Sequence, residues 1–114
     1  MELIAESTGE LTVIAVHAER IDAASAIRFK ETMRELTAGG SGRVVLDLTS
    51  VDFIDSSGLG AIVSARKVLG EDRRMELAGL TPKVMKVFRL TRMDSVFTLH
   101  ATIEEARRSD ANAA

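Results

Sequence analysis

The chain has 114 residues, a formal net charge of −2 and a hydrophobic fraction of 46%, values typical of one globular domain. Because it contains no cysteine, disulfides, thiolate catalysis and cysteine-ligated metals are excluded. Its nearly balanced charge and its aromatic fraction of 4% indicate no general affinity for nucleic acid or anionic membranes and few side chains that stack on bases.

The sequence favours a cytoplasmic location. The first six residues lack the basic start and the long apolar stretch of a signal peptide. No run reaches the ~18 apolar residues that a membrane-spanning helix needs. We therefore expect a cytoplasmic protein that does not insert directly into a membrane.

The first half of the chain predicts a hairpin, a helix and a buried strand. Residues 3–5 and 11–16 are short apolar strands separated by turn-forming residues. Asp22 is a candidate N-cap for a helix that ends before the glycine-rich residues 39–42. The β-branched run at 43–48 predicts a strand covered on both faces of a sheet.

The next segment is a connection that leads into a second helix. Within residues 49–55 we expect Val51, Phe53 and Ile54 to reach the core. The second helix is predicted from about Ser57 to Leu69, and Arg66 interrupts its apolar side. That arginine must extend to solvent or find a partner.

The last third of the chain predicts two further strand–helix units. Residues 74–78 form a strand, and Thr81 followed by proline is a typical helix start. Residues 95–99 are the last predicted strand, and a capping box at 102–105 opens a final helix. The tail at 107–114 is predicted to fray.

The order of these elements predicts an α/β fold. Strands that alternate with helices are typical of a mainly parallel sheet, and the opening hairpin makes the sheet mixed. We predict a single domain over residues 1–114, with a core over about 3–106. It should contain about five strands and about four helices.

The junction between the buried strand and the second helix carries the most informative side chains. Ser56 and Ser57 stand beside Asp55 at the predicted helix start, and Gly58 and Gly60 provide little side-chain cover. By residue type alone, both serines are candidate N-caps. Because the glycines leave the junction open, another molecule could also reach the two serines.

Patterns for catalysis and cofactor binding are incomplete at this junction. A nucleophile elbow needs glycine two residues before the serine, but Ile54 stands there before Ser56. His17 and His100 have no base motif around them, and we interpret them as surface or packing residues. Residues 58–63 lack the third small residue of a dinucleotide fingerprint. The chain is therefore predicted not to be an enzyme.

Charged side chains near the helices allow two interpretations. Four aspartates precede or flank helix starts. They are either helix caps and solvated loop residues, or part of a cation site or an acidic docking edge. We favour the first interpretation for Asp47 and Asp52, and expect capping and function to coincide for Asp22 and Asp55. A basic strip on the third helix is interpreted as a solvated face rather than a docking site for an acidic partner. It comprises Lys83, Lys86, Arg89 and Arg92.

The hexapeptide Asp55-Ser56-Ser57-Gly58-Leu59-Gly60 closely resembles the motif of STAS-domain antagonists of anti-sigma factors. The resemblance extends over roughly residues 3–106 and implies the STAS fold. The family usually has small, turn-forming residues before the aspartate that precedes the first helix, whereas this chain has Arg20 there. This departure bears on partner choice. Further similar segments lie at 19–26, 43–48 and 79–84.

The resemblance implies a regulator controlled by phosphorylation of Ser56, with Ser57 as the second choice. Unphosphorylated protein is implied to bind a serine kinase of the anti-sigma-factor type, and a metal-dependent serine phosphatase resets the system. ATP and Mg²⁺ belong to the kinase, so the chain itself needs no cofactor or metal. The implied partner-binding residues are Asp22, Asp55, Ser56, Ser57, Gly58, Leu59 and Gly60.

Two alternative functions remain open from the sequence. STAS domains also occur as soluble subunits of membrane transporter complexes, and in that role Ser56 need not be phosphorylated. A serine-dependent hydrolase acting through Ser56 is the less favoured alternative, because the chain lacks a recognisable base and an oxyanion motif.

Overall fold

The computed structural model describes residues 1–111, which form seven strands and four helices. In chain order these elements are β1 (Glu2–Thr8), β2 (Leu11–His17), β3 (Arg20–Ile21), α1 (Ala26–Thr37), β4 (Arg43–Asp47), β5 (Phe53–Ile54), α2 (Ser56–Leu69), β6 (Met75–Ala78), α3 (Pro82–Leu90), β7 (Thr98–His100) and α4 (Ile103–Ala111).

The main sheet is mixed and mostly parallel, as predicted. Its strand order is β1-β2-β4-β6-β7. β1 pairs antiparallel with β2, whereas each of the other three pairings is parallel. A second sheet, which was not predicted, consists of β3 and β5 in parallel. The predicted α/β class is confirmed.

The two faces of the main sheet bury side chains of different helices. Val44 and Leu46 of β4 point into the large core, which also contains apolar residues of α1, α2 and α3. Val45, between them, points to the opposite face and packs with Ala106 of α4. This alternation follows from the two-residue period of a strand. The prediction that β4 is covered on both faces is therefore confirmed.

Helix starts agree with the sequence in α3 and differ in α1. Thr81 Oγ1 accepts a hydrogen bond from Val84 N at 3.4 Å, and Pro82 occupies the first turn of α3, as predicted. The predicted cap of α1 is wrong, because Ser25 occupies the N-cap position. Asp22 instead caps the turn that precedes the helix, where its Oδ1 accepts from Ala24 N at 3.2 Å.

Three further expectations need correction or refinement. Phe53 does not reach the core and is 40% exposed, whereas its neighbours Val51 and Ile54 are buried. The last strand begins at Thr98 because residues 93–95 form a 3₁₀ turn. Arg66 does find a partner, since its guanidinium carbon lies 5.9 Å from the centroid of the Phe97 ring.

The end of the chain was predicted to fray from residue 107. Helix α4 continues to Ala111, so residues 107–111 are helical, and the remaining predicted tail, residues 112–114, lies outside the described residues. None of the helices within residues 1–111 combines the length and the low polarity that crossing a bilayer requires.

A cluster of polar side chains, which was not predicted, is centred on the buried residues Arg43 and Glu76 between the main sheet and α4. Arg43 Nε and Nη2 each donate to a carboxylate oxygen of Glu76 at 2.7 Å, and Nη2 also donates to the carbonyl oxygen of Ala106 at 2.9 Å. His100 Nε2 lies 2.6 Å from Glu76 Oε1, and Arg74 Nη2 lies 3.4 Å from Glu76 Oε2. The cluster ties α4 to the sheet.

Candidate functional site

The predicted functional serines lie at the first turn of α2 and are exposed. Ser56 is the first residue of the helix and Ser57 the second, directly after the short strand β5. Helix N-termini present unpaired N–H groups and the positive end of the helix dipole. A phosphate on Ser56 would therefore lie beside a region that favours negative charge.

Asp55 is the N-cap of α2 and links two segments of the chain. Its Oδ1 accepts a hydrogen bond from Gly58 N at 2.8 Å, and its Oδ2 accepts one from Ala23 N at 3.1 Å. The first bond caps the helix, and the second holds the turn before α1 against it. The predicted capping by Asp55 is thus confirmed, and its part in a functional site stays a prediction.

The two glycines of the motif have different surroundings. A Cβ on Gly58 would collide with the backbone carbonyl of Ile21 in β3, so glycine lets α2 and β3 approach closely. A Cβ on Gly60 would meet no atom within 4 Å. Leu59, between them, is 9% exposed and belongs to the large core. Gly58 and Leu59 therefore pack against the interior of the protein, while Gly60 faces outward.

Asp22 shapes the turn that leads into α1. Its backbone N–H donates to Ser25 Oγ at 3.1 Å, and its Oδ2 accepts from Arg20 Nε at 3.1 Å. The hydrogen bond from Arg20 lowers the pKa of the Asp22 carboxyl, and Ser25 adds to this effect. Asp22 is consequently an anion at neutral pH beside the start of α2.

The small sheet places an arginine and a phenylalanine together at this site. Arg20 of β3 lies opposite Phe53 of β5 in the parallel register. The guanidinium carbon of Arg20 lies 4.1 Å from the centroid of the Phe53 ring, a cation–π contact. Sequence reasoning noted Arg20 as a departure from the family motif but missed its pairing with Phe53.

The structure brings most of the predicted site residues together. Ala23 N contacts Asp55, and Asp55 N donates to Ile21 O at 3.4 Å, so the turn containing Asp22 lies beside the start of α2. Ser56, Ser57 and Gly60 are exposed at this start. Of the four aspartates near helix starts, Asp52 instead contacts Lys83 on the basic strip at 3.5 Å.

The structure places His100 away from the exposed hydroxyls of Ser56 and Ser57. His100 is hydrogen-bonded to Glu76 in the cluster under α4, on the face of the main sheet opposite α2. Among residues 1–111, no group of three or more side chains is arranged to hold a metal ion.

Comparison with known proteins gives consistent matches over most of the chain. The model of the family described as "STAS domain" matches residues 2–106. The anti-sigma-B factor antagonist of Listeria monocytogenes is 32% identical over 84 residues, which cover 72% of this chain and 73% of that protein.

Two solved structures share the fold. A STAS domain protein from Planctomyces limnophilus, described as an anti-sigma-factor antagonist, is 24% identical with a TM-score of 0.86, covering 96% of this chain and 97% of that one. The Bacillus cell fate determinant SpoIIAA in its phosphorylated form is 22% identical with a TM-score of 0.68, covering 95% and 98%.

Proposed function

Because the chain belongs to the STAS domain family, we propose that it is an anti-sigma-factor antagonist that acts by reversible binding of a partner protein. The observation that carries the proposal is the exposed Ser56 at the start of α2, beside the cap residue Asp55 and the turn at Asp22. The 32% identity to the Listeria monocytogenes antagonist supports it.

The proposed switch is phosphorylation of Ser56 by the partner, a serine kinase of the anti-sigma-factor type. The kinase transfers the γ-phosphoryl group of ATP to Ser56 Oγ, the hydroxyl proton is lost, and ADP leaves. A metal-dependent serine phosphatase hydrolyses the ester with water and returns the serine and inorganic phosphate. That a protein of this fold, SpoIIAA, is described in a phosphorylated form supports this step.

Electrostatics explains how the phosphate would release the partner. A phosphoserine carries a charge of about −1.5 to −2 at neutral pH. On Ser56 it would join the anions Asp22 and Asp55 to form a concentrated negative patch. The fold tolerates this charge at a helix N-terminus, whereas an acidic or apolar partner surface does not. A penalty of ~3 kcal/mol weakens binding more than a hundredfold.

Peptide mapping by mass spectrometry of the protein purified from its native cells tests the proposal. We expect a phosphate on Ser56 in one fraction of the protein. In the unphosphorylated fraction we expect a co-purified ATP-binding kinase, identified by its peptides. A phosphate on Ser57 alone would move the switch to the second choice and contradict the assignment of Ser56.

Substitutions at Ser56 test the direction of the switch. Ser56→Ala should bind the co-purified kinase as tightly as the unphosphorylated protein and should not be released by ATP. Ser56→Asp should weaken binding, though less than phosphate does, since one carboxylate carries less charge. Titration calorimetry with the purified kinase measures both. Wild-type affinity in Ser56→Asp would contradict the electrostatic account.

The same experiments separate the alternatives. Co-purification with a transporter permease, and no phosphate on Ser56, would favour the transporter subunit. Hydrolysis of an ester by the purified chain, abolished in Ser56→Ala, would favour the hydrolase.

A further inference from the structure

An exposed arginine and an exposed phenylalanine form a stacked pair beside the proposed switch serine. The side chain of Arg20 is 59% exposed, and Phe53 is 40% exposed. Exposed Arg and aromatic side chains that lie together are typical of residues that dominate the binding energy of protein interfaces. The Arg20–Phe53 pair is therefore available to another protein.

The guanidinium of Arg20 is held by two contacts. Its carbon lies 4.1 Å from the centroid of the Phe53 ring, and Nε donates to Asp22 Oδ2 at 3.1 Å. A guanidinium has five N–H donors in a fixed fork, and its end-on pair, one N–H on each Nη atom, points away from the edge that carries Nε. Because the side chain is already ordered, binding a carboxylate to these donors loses less conformational freedom than it would for a flexible lysine.

We propose that the Arg20–Phe53 pair selects the partner by binding an acidic side chain on the kinase. This inference rests on the proposed function. Planar, bidentate binding of a carboxylate is the chemistry that an ordered arginine fork favours. Within the two segments that form the small sheet and its flanks, residues 19–22 and 52–55, Arg20 is the one cationic side chain, so it is the residue of these segments that attracts an acidic partner side chain.

Phe53 and Ser56 are close enough for one docked partner to contact both. They are three positions apart in the chain, so their Cα atoms lie within about 11 Å of each other. A partner that buries about 800 Å² on this surface covers a patch roughly 30 Å across, which includes both sites. The carboxylate that Arg20 attracts is therefore close enough to be repelled by a phosphate on Ser56.

Graded substitution of Arg20 tests the inference. The probe is the purified kinase that co-purifies with the chain and phosphorylates Ser56. We expect its affinity to fall a few-fold for Arg20→Lys, about tenfold for Arg20→Gln and about a hundredfold for Arg20→Glu. Arg108→Gln, an exposed arginine on α4 at the opposite face, is the matched control and should bind as wild type.

Three further measurements distinguish charge pairing between Arg20 and the kinase from a general effect on folding. The association rate of Arg20→Gln should depend less steeply on salt than that of wild type, because one attractive charge is gone. Thermal unfolding of each variant, in the absence of the kinase, should match wild type within a few degrees. Restoration of Arg20→Glu binding by a single acid-to-lysine substitution in the kinase would support the inference and identify the partner residue.

The outcomes separate the two proposals. If wild type and Ser56→Ala bind the kinase but Arg20→Glu binds equally well, the role of Arg20 is overturned and the phosphorylation switch stands. If neither wild type nor Ser56→Ala binds a kinase, both proposals fall. A loss of binding equal in Arg20→Lys and Arg20→Glu would also overturn the role of charge at this position.

Discussion

Replacing each of two glycines at the start of α2 with alanine should change the stability of the protein in opposite directions. Gly58→Ala places a methyl group against the Ile21 carbonyl, so α2 or β3 must shift, and we expect a loss of about 1–3 kcal/mol. Gly60→Ala adds a methyl group in open space within a helix and should raise stability by about 0.5–1 kcal/mol. Urea unfolding of the two variants measures both values. Equal behaviour would contradict the close approach of β3.

The cap of α2 gives a second prediction at the scale of a single side chain. Asp55→Ala removes the bonds to Gly58 N and Ala23 N, and we expect a loss of about 1–2 kcal/mol. Asp55→Asn keeps an acceptor oxygen for the helix cap and should lose less. Denaturant unfolding compares the two; an unchanged stability in Asp55→Ala would show that neither bond matters.

Individual site residues were predictable from the sequence where a motif names them. Asp55 and Ser56 belong to a contiguous hexapeptide whose position before a helix is recognisable. Arg20 and Phe53 are 33 residues apart and meet only because β3 and β5 pair in parallel. Two-residue strands leave no hydrophobic period to recognise, so no sequence pattern predicts this contact.

At the scale of elements, the buried cluster under α4 gives the fold a pH dependence. Burial of Glu76 would raise its pKa, but hydrogen bonds from Arg43 and His100 and the charge of Arg74 lower it below the ordinary value of 4.5. The folded state therefore favours the carboxylate. This stabilisation is complete above pH 4.5 and is lost as the pH falls through the lowered pKa.

Substitution of Glu76 tests this dependence. Glu76→Gln should cost about 3 kcal/mol at neutral pH because the Arg43 charge stays buried without its anion. The variant should lose less stability than wild type on acidification to about pH 3, since its side chain does not titrate. Glu104→Gln, an exposed change on α4, is the control. Unfolding free energies at both pH values decide; parallel pH curves for wild type and Glu76→Gln would contradict the role of Glu76.

The long elements were predictable because their periodicity is strong. The central strands and α2 follow from apolar runs and helical spacing, and the starts of α3 and α4 from their capping residues. The capping of α4 is present, since Glu105 N donates to Thr102 Oγ1 at 3.1 Å. The cluster around Glu76 was not predictable, because Arg43, Glu76 and His100 come from three different strands.

At the scale of the whole molecule, stability should be unevenly distributed. β4 lies at the centre of the sheet, between the large core and the small one, whereas α4 contributes Ala106 and the partly buried Ile103 to the small core. Regions with little buried apolar surface open first. Hydrogen exchange should therefore release the amides of α4 and the edge strand β1 well before those of β4. Equal protection of α4 and β4 would contradict this order.

The small β3–β5 sheet also bears on how such proteins diversify. It stands apart from the five-stranded sheet, and its two outward side chains, Arg20 and Phe53, belong to neither apolar core. If the Arg20–Phe53 pair selects the partner as proposed, duplicated copies of the gene could acquire different partners by substitution at these two positions, which lie outside both apolar cores. Several copies within one cell would then answer different signals with little cross-talk.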